Sequence, residues 1–204
     1  MKLSNKFEEA LIYATRAHCN QTRKKTGIPY VAHILGVTAI ALEYGGNETD
    51  AIGALLHDTV EDCGGAERLR DIREKFGDDV AGIVDGCTDT YETPKPPWLE
   101  RKRAYIEHLK DSDSPIRLVS ASDKLHNTRA ILAEVRRNGL EVFERFAGKK
   151  EGTLWYYRAL VTAFRQHGDH VDLIDELDRV VSEIEKFVPE GKQNHRGREE
   201  RGHQ

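Results

Sequence analysis

The chain has 204 residues, 38% hydrophobic and 32% charged, enough apolar material for one buried core beneath a strongly polar surface. No run of about 18 apolar residues occurs, so no transmembrane span is indicated. The formal net charge of −4 gives no general pull towards nucleic acid, and any cationic site must be local. Cys19, Cys63 and Cys87 are too scattered for a disulfide framework or a zinc knuckle, and Met1–Lys6 lacks an apolar signal core, so a reducing cytoplasm is the simplest setting.

Residues 6–19 carry Phe7, Ala10, Leu11, Ala14 and Ala17 at helical spacing, with Asn5 as the expected cap and Glu8 three residues on. His18 and Cys19 close this helix, and His18 reads as a partly buried structural residue. Gln21–Tyr30 follows, with Arg23, Lys24 and Lys25 ahead of Thr26-Gly27 and Pro29, and is a loop. Its cations either form a solvated turn or neutralise a phosphate and stack on a base. A second helix over 32–44 has Ile34, Val37, Ile40 and Ala41 as its stripe, His33 at its start, and Gly45-Gly46 as its stop. The third, about 49–60, is expected to be capped by Thr49 or Asp50.

After Cys63-Gly64-Gly65 come short helices over 66–76 and 78–86, split by Gly77. Thr88–Pro97 holds Pro94, Pro96 and Pro97 and is a loop; Trp98–Lys110 is helical, with Arg101-Lys102-Arg103 read first as a solvated face and second as phosphate-facing. Ser114-Pro115 has the form of a cap with Pro at the first helical position, opening a long helix over 115–137. Into its apolar stripe are set Asp123, His126 and Asn127, and Asp123 and Asn127, at i and i+4, share a face. Helices over 150–166 and 171–187 complete the domain, the former opening on Trp155-Tyr156-Tyr157-Arg158, which reads first as core packing, with Tyr157 or Arg158 as the alternative border of a pocket. Residues 189–204 are polar and Gly-rich and read as a disordered tail, leaving 1–188 as an all-α domain of eight or nine helices.

The stretch Ala54-Leu55-Leu56-His57-Asp58-Thr59-Val60-Glu61-Asp62 stands apart, because an apolar run ends in four ionisable groups. Carboxylates are seldom buried unless paired or holding a metal. His57 and Asp58 point roughly 100° apart on a helix but can converge on an ion beyond a helix end. Taken alone, the pair is also consistent with a solvated acidic turn. His33 and Asp123, on two other helices, supply further groups of the same kind.

The order His33, His57-Asp58, Asp123 resembles that of the HD-domain metal-dependent phosphohydrolases. Within that family the chain is similar to the hydrolase domain of the RelA/SpoT alarmone enzymes and to the small stand-alone alarmone hydrolases. The matching pieces run in order from the Arg23–His33 segment through Ala54–Asp62, Phe76–Ala81 and Val84–Thr88 to Ser122–Arg129. The resemblance implies an all-α HD-domain fold and one Mn²⁺, with Fe²⁺ or another divalent ion as a substitute, held by His33, His57, Asp58 and Asp123. Two imidazoles, two carboxylates and water suit such an ion better than a closed tetrahedral zinc site. It also implies that Glu61 and Asp62 handle the proton and position water, that Asn127 meets the ribose, and that Arg23, Lys24 and Lys25 hold base and phosphates. Three departures accompany it: an extra residue in the basic loop, Ala130 where a Thr is frequent, and Asp89 where a Lys is usual.

The reaction implied is removal of the 3′-diphosphate of guanosine tetra- and pentaphosphate, giving GDP or GTP and pyrophosphate. Another nucleotide phosphohydrolase on the same scaffold, a nucleotidase or cofactor phosphatase, would release orthophosphate instead. A non-catalytic alarmone-binding regulator would bind without turnover.

Overall fold

The structure is a computed structural model that describes residues 2–187 apart from Lys25 and Thr93, so the expected tail and Lys25 lie outside the described residues. Among the described residues the chain is all-α. In order come α1 (Asn5–Ala17), α2 (Val31–Glu43), α3 (Glu48–Leu56), α4 (Thr59–Cys63), α5 (Gly65–Phe76), α6 (Asp78–Cys87), α7 (Trp98–Leu109) and α8 (Ser114–Asn138). A 3₁₀ turn (Gly139–Arg145), α9 (Lys149–Arg165) and α10 (Val171–Lys186) follow. No helix among the described residues is long and apolar enough to cross a membrane.

Among the described residues all the expected helices are present, but the third is broken in two at His57-Asp58, where α3 stops and α4 starts, so that ten α-helices stand where eight or nine were expected. Three caps differ from expectation. Ser4, not Asn5, caps α1, its hydroxyl accepting from the Lys6 amide. Asn47 caps α3: its side chain accepts from the amides of Thr49 and Asp50, while the Asp50 carboxylate accepts from the Asn47 amide at 2.8 Å, a reciprocal capping box. Asp113 precedes α8, which places Ser114 and Pro115 both inside its first turn. Each shift moves the helix start to the residue whose side chain or backbone angles suit the exposed end amides.

Two apolar clusters share the chain. Ala10, Ala14, Ile34, Leu55, Leu56, Val60, Ile72, Phe76 and Val84 join α1 to α6. The larger cluster surrounds α8, whose buried residues Leu118, Val119, Ala121, Leu125, Ile131, Leu132 and Val135 face several neighbouring helices at once. That encirclement is why Ser120, Ser122, Asp123 and Thr128 are also buried on this helix. The apolar face of α10 (Leu173, Ile174, Leu177, Val180, Val181, Ile184) closes the far side. Ion pairs stitch its outer edge to α8 and α9, among them Arg129–Glu176 at 3.0 Å and Arg158–Glu185 at 2.5 Å. Exposed pairs of this kind contribute about 0–1 kcal/mol each, so the buried face supplies most of the hold.

The basic segment between α1 and α2 is more ordered than an open loop. The Arg23 amide donates to the Ile28 carbonyl at 2.8 Å and the Tyr30 amide to the Gln21 carbonyl at 2.9 Å. Thr22 and Pro29 form an isolated antiparallel bridge, and Gly27 turns the tip with φ +70°, a region that favours glycine.

Candidate metal centre and the cleft around it

The break between α3 and α4 explains how two adjacent residues converge. His57 ends α3 and Asp58 opens α4, so neither side chain is bound to the angular spacing of one continuous helix. The Asp58 carboxylate stands 3.0 Å from His57 Nε2 and 3.4 Å from His33 Nε2, through the same oxygen. His33 enters from the first turn of α2, and Asp123 from the middle of α8, its Oδ1 lying 3.2 Å from His33 Nε2 and 3.9 Å from His57 Nε2. The donor atoms of His33, His57 and Asp58 all lie within 4.8 Å of one another. His33, His57 and Asp123 are buried.

The chemistry of this donor set fits a cation. His57 Nδ1 is 2.8 Å from the Ala54 carbonyl, which can only accept, so Nδ1 carries the proton of the neutral ring. Nε2 then bears a lone pair, is buried without a hydrogen-bond partner, and faces carboxylate oxygens. Burial works against charge on His57, yet Asp58 and Asp123 carry its imidazolium form up to about 9. The pocket thus favours positive charge at Nε2, and a divalent ion competes with the proton for that place. Burial alone would raise both carboxyls. The His57 and His33 rings beside Asp58, and Lys124 and His33 beside Asp123, instead hold them well below the usual carboxylate range.

Further donors orient these carboxylates. The Tyr30 hydroxyl donates to Asp58 Oδ2 at 2.6 Å; burial and then Asp58 push the phenol upward, so it remains a donor. Lys124 Nζ reaches Asp123 Oδ2 at 2.5 Å, and Asn127 Nδ2 donates to Asp123 Oδ1 at 2.5 Å. The expected i, i+4 partnership of Asp123 and Asn127 is therefore direct. Such outer contacts fix ligand orientation and charge.

A cleft of about 470 Å³ opens beside this centre and is lined by His33, Asp58, Asp123, Glu61 and Asp62. Glu61 and Asp62 lie on α4, one turn beyond the candidate ligands. Glu61 is held at both oxygens, by Lys95 Nζ at 2.5 Å and by the Asp89 amide at 3.3 Å. Asp62 accepts from Gln21 Nε2 at 2.7 Å, and His18 Nδ1 meets the side-chain Oε1 of Gln21 at 2.6 Å. His18, expected to be partly buried, is fully buried and has a defined side-chain partner. From the basic segment Arg23 and Lys24 reach the cleft; Arg23 Nη2 donates to Asn127 Oδ1 at 2.8 Å.

Several lining residues carried little local signal. Arg101 and Lys102, read first as a solvated face, turn into the cleft and pair with the buried carboxylate of Asp89, Lys102 at 3.1 Å; only Arg103 of that triplet is exposed. Burial and the neighbouring Lys124 and Arg101 push the Lys102 ammonium down to about 7, against the pull of Glu61. Tyr156 and Tyr157 pack on the core, as first expected, and also line the cleft, while Arg158 turns outward to Asp178, Ser182 and Glu185. Trp98 seats the proline-rich loop on α9: a Cβ added at Gly148 or Gly152 would stand 2.6 or 3.1 Å from its ring. Two glycines four apart, downstream of a tryptophan, were the available sign of that seat.

Residues 10–153 match the HD-domain family profile. The chain is 41% identical over 126 residues to guanosine-3′,5′-bis(diphosphate) 3′-pyrophosphohydrolase MESH1 of Xenopus tropicalis and 40% identical over 125 residues to that of Homo sapiens. Each match covers 59% of this chain and 66% of the relative, just under two thirds of its length. Among solved structures, a metazoan orthologue of SpoT that hydrolyses ppGpp superposes with a TM-score of 0.75 at 29% identity, over 90% of this chain and 98% of that one. With the profile spanning α1 to α9 and enclosing every candidate ligand, the chain belongs to the HD-domain family.

Proposed function

We propose that the chain is a metal-dependent (p)ppGpp 3′-pyrophosphohydrolase. The observation that carries this reading is the meeting, in one cleft, of the His33–His57–Asp58–Asp123 donor set, the Glu61-Asp62 pair and the Arg23–Asn127 pair. The relatives' stated activity on guanosine-3′,5′-bis(diphosphate) supports it. His33, His57, Asp58 and Asp123 hold the ion, Mn²⁺ in the first instance. When bound, that ion would polarise a phosphoryl group as a Lewis acid and lower the pKa of water so that hydroxide is available near neutral pH.

The chain's own residues do the rest. Arg23 and Asn127, already bonded to each other, meet base and ribose, and Lys24 adds charge at the mouth; Lys25 keeps only the role its place in the basic loop implies. Glu61, clamped by Lys95 and the Asp89 amide, and Asp62, clamped by Gln21, position water, take up the proton it gives up on attack and pass it to the ribose 3′ oxygen as its bond to phosphorus breaks. Water adds to that phosphorus, so ppGpp yields GDP and pyrophosphate. Free cysteines at positions 19, 63 and 87 suit a reducing, cytoplasmic setting.

A second reading, a nucleotide phosphohydrolase acting on a less charged substrate, is favoured by Asp89 alone, which offsets two cations of the cleft wall. One incubation separates the two: purified protein with ppGpp and Mn²⁺, products identified by ion-exchange chromatography. GDP with pyrophosphate is expected. Orthophosphate as the primary product, or turnover of nucleoside monophosphates with ppGpp untouched, transfers the protein to the second reading. Tight binding of ppGpp without turnover would make it a regulator.

A further inference from the structure

His126 is part of no ligand or substrate role assigned above, yet it touches both sides of the site. Its Nδ1 lies 2.9 Å from His33 Nδ1 and 3.3 Å from Arg23 Nη1. The two rings pack with centroids 4.8 Å apart. The approach depends on Gly36 of α2, because a Cβ there would stand 2.3 Å from the His126 ring.

The three nitrogens settle the direction of their hydrogen bonds. A guanidinium only donates. His126 Nδ1 therefore accepts and carries no proton. The proton between the two imidazoles must then sit on His33 Nδ1. A neutral His33 protonated at Nδ1 has its lone pair at Nε2, the atom that faces Asp58 at 3.4 Å and Asp123 at 3.2 Å.

We propose that His126 is a positioning residue for the metal centre: it fixes His33 in the Nδ1–H tautomer and so turns the Nε2 lone pair to the ion. Because the same lone pair accepts from Arg23, it also ties the basic segment to the metal site. The inference rests on His33 being a metal ligand.

The test is Mn²⁺ binding by isothermal titration calorimetry on the full chain, without nucleotide. His126→Phe keeps an aromatic ring but removes the acceptor, and should weaken Mn²⁺ binding by about 10- to 100-fold, the range seen when a ligand's outer partner is lost. His126→Asn places a carbonyl oxygen near the Nδ1 position and should restore most of that loss. Gly36→Ala, which pushes the ring away, should weaken binding in the same direction. In the His33→Ala background, His126→Phe should have little further effect. Unchanged Mn²⁺ affinity in a helical His126→Phe protein overturns the proposal, as does an equal loss in His126→Asn, which would assign the effect to packing. Long-range ¹H–¹⁵N correlation of the imidazoles in the Zn²⁺-loaded wild-type protein reads the tautomer without any variant. Proton on His33 Nδ1 is expected, and proton on Nε2 overturns the proposal. If His33→Ala and His57→Ala leave Mn²⁺ binding intact, the metal-centre reading itself fails; a failure confined to the His126 variants leaves it standing.

Discussion

The seat of Trp98 gives a prediction that links packing to the cleft. In Gly148→Ala the new methyl would lie 2.6 Å from the indole, against the 3.4–4 Å of ordinary contact, so the ring must retreat by close to an ångström. Its escape is limited by Trp155 and Tyr156, whose ring centroids stand 6.4 and 6.1 Å away. Overpacking of this kind costs about 1–3 kcal/mol. For a domain of this size each kcal/mol lowers the melting temperature by roughly 2–4 °C, so a fall of about 2–12 °C is expected by calorimetry. Trp98 also ends the loop that carries Lys95 and Asp89 to Glu61, so turnover should drop at a temperature where both proteins are folded. Trp98→Phe, a smaller ring, should recover part of the melting temperature in the Gly148→Ala background while costing stability in the wild type. An unaltered melting temperature in Gly148→Ala, or no recovery by the second substitution, would refute the reasoning.

Three further outcomes are expected. Replacing His57 or Asp58 by Ala should abolish Mn²⁺-dependent hydrolysis with the circular-dichroism spectrum retained, and a chelator should do the same to the wild type; full activity after chelation would refute the metal assignment. Glu61→Gln should lower kcat far more than it raises KM, whereas Asn127→Ala should chiefly raise KM, as steady-state kinetics on ppGpp would read. Arg179 and Arg129 hold the Glu176 carboxyl down at about 2, against an ordinary value of 4.5. A depressed carboxyl stabilises the fold above its unfolded value and loses that effect as pH falls towards the folded one. Wild type and Glu176→Gln should therefore differ in melting temperature at pH 6 and converge as pH drops from about 4.5 to about 2.

The helices were legible because each buries one stripe, and stripes repeat locally. The break at His57-Asp58 was hidden by the same rule, since Ile52, Leu55, Leu56 and Val60 continue the apolar pattern across it and all are buried. The candidate ligands were visible as ionisable residues set in apolar runs, together with the family's order of motifs. Arg101 and Lys102 were misread because a charge run looks solvated until its counter-ion is known, and Asp89 lies twelve and thirteen residues away. Tyr30 and His126 were illegible in their roles for a related reason: their partners, Asp58 and His33, are 28 and 93 positions distant.

The hairpin-like segment between α1 and α2 bears on how the proposed polyanionic nucleotide would be captured. Ordering a flexible backbone costs about 1–2 kcal/mol per residue, and a floppy arm would lose that much at each encounter. Here Arg23 is bonded across to Ile28, Tyr30 to Gln21, and the side chains of Gln21 and Tyr30 are anchored on Asp62 and Asp58. The ordering loss is thus borne when the protein folds rather than when the ligand arrives. Association should accordingly show a small entropic penalty, and a Gly-Gly insertion after Ile28 should slow capture while leaving the thermal midpoint nearly unmoved.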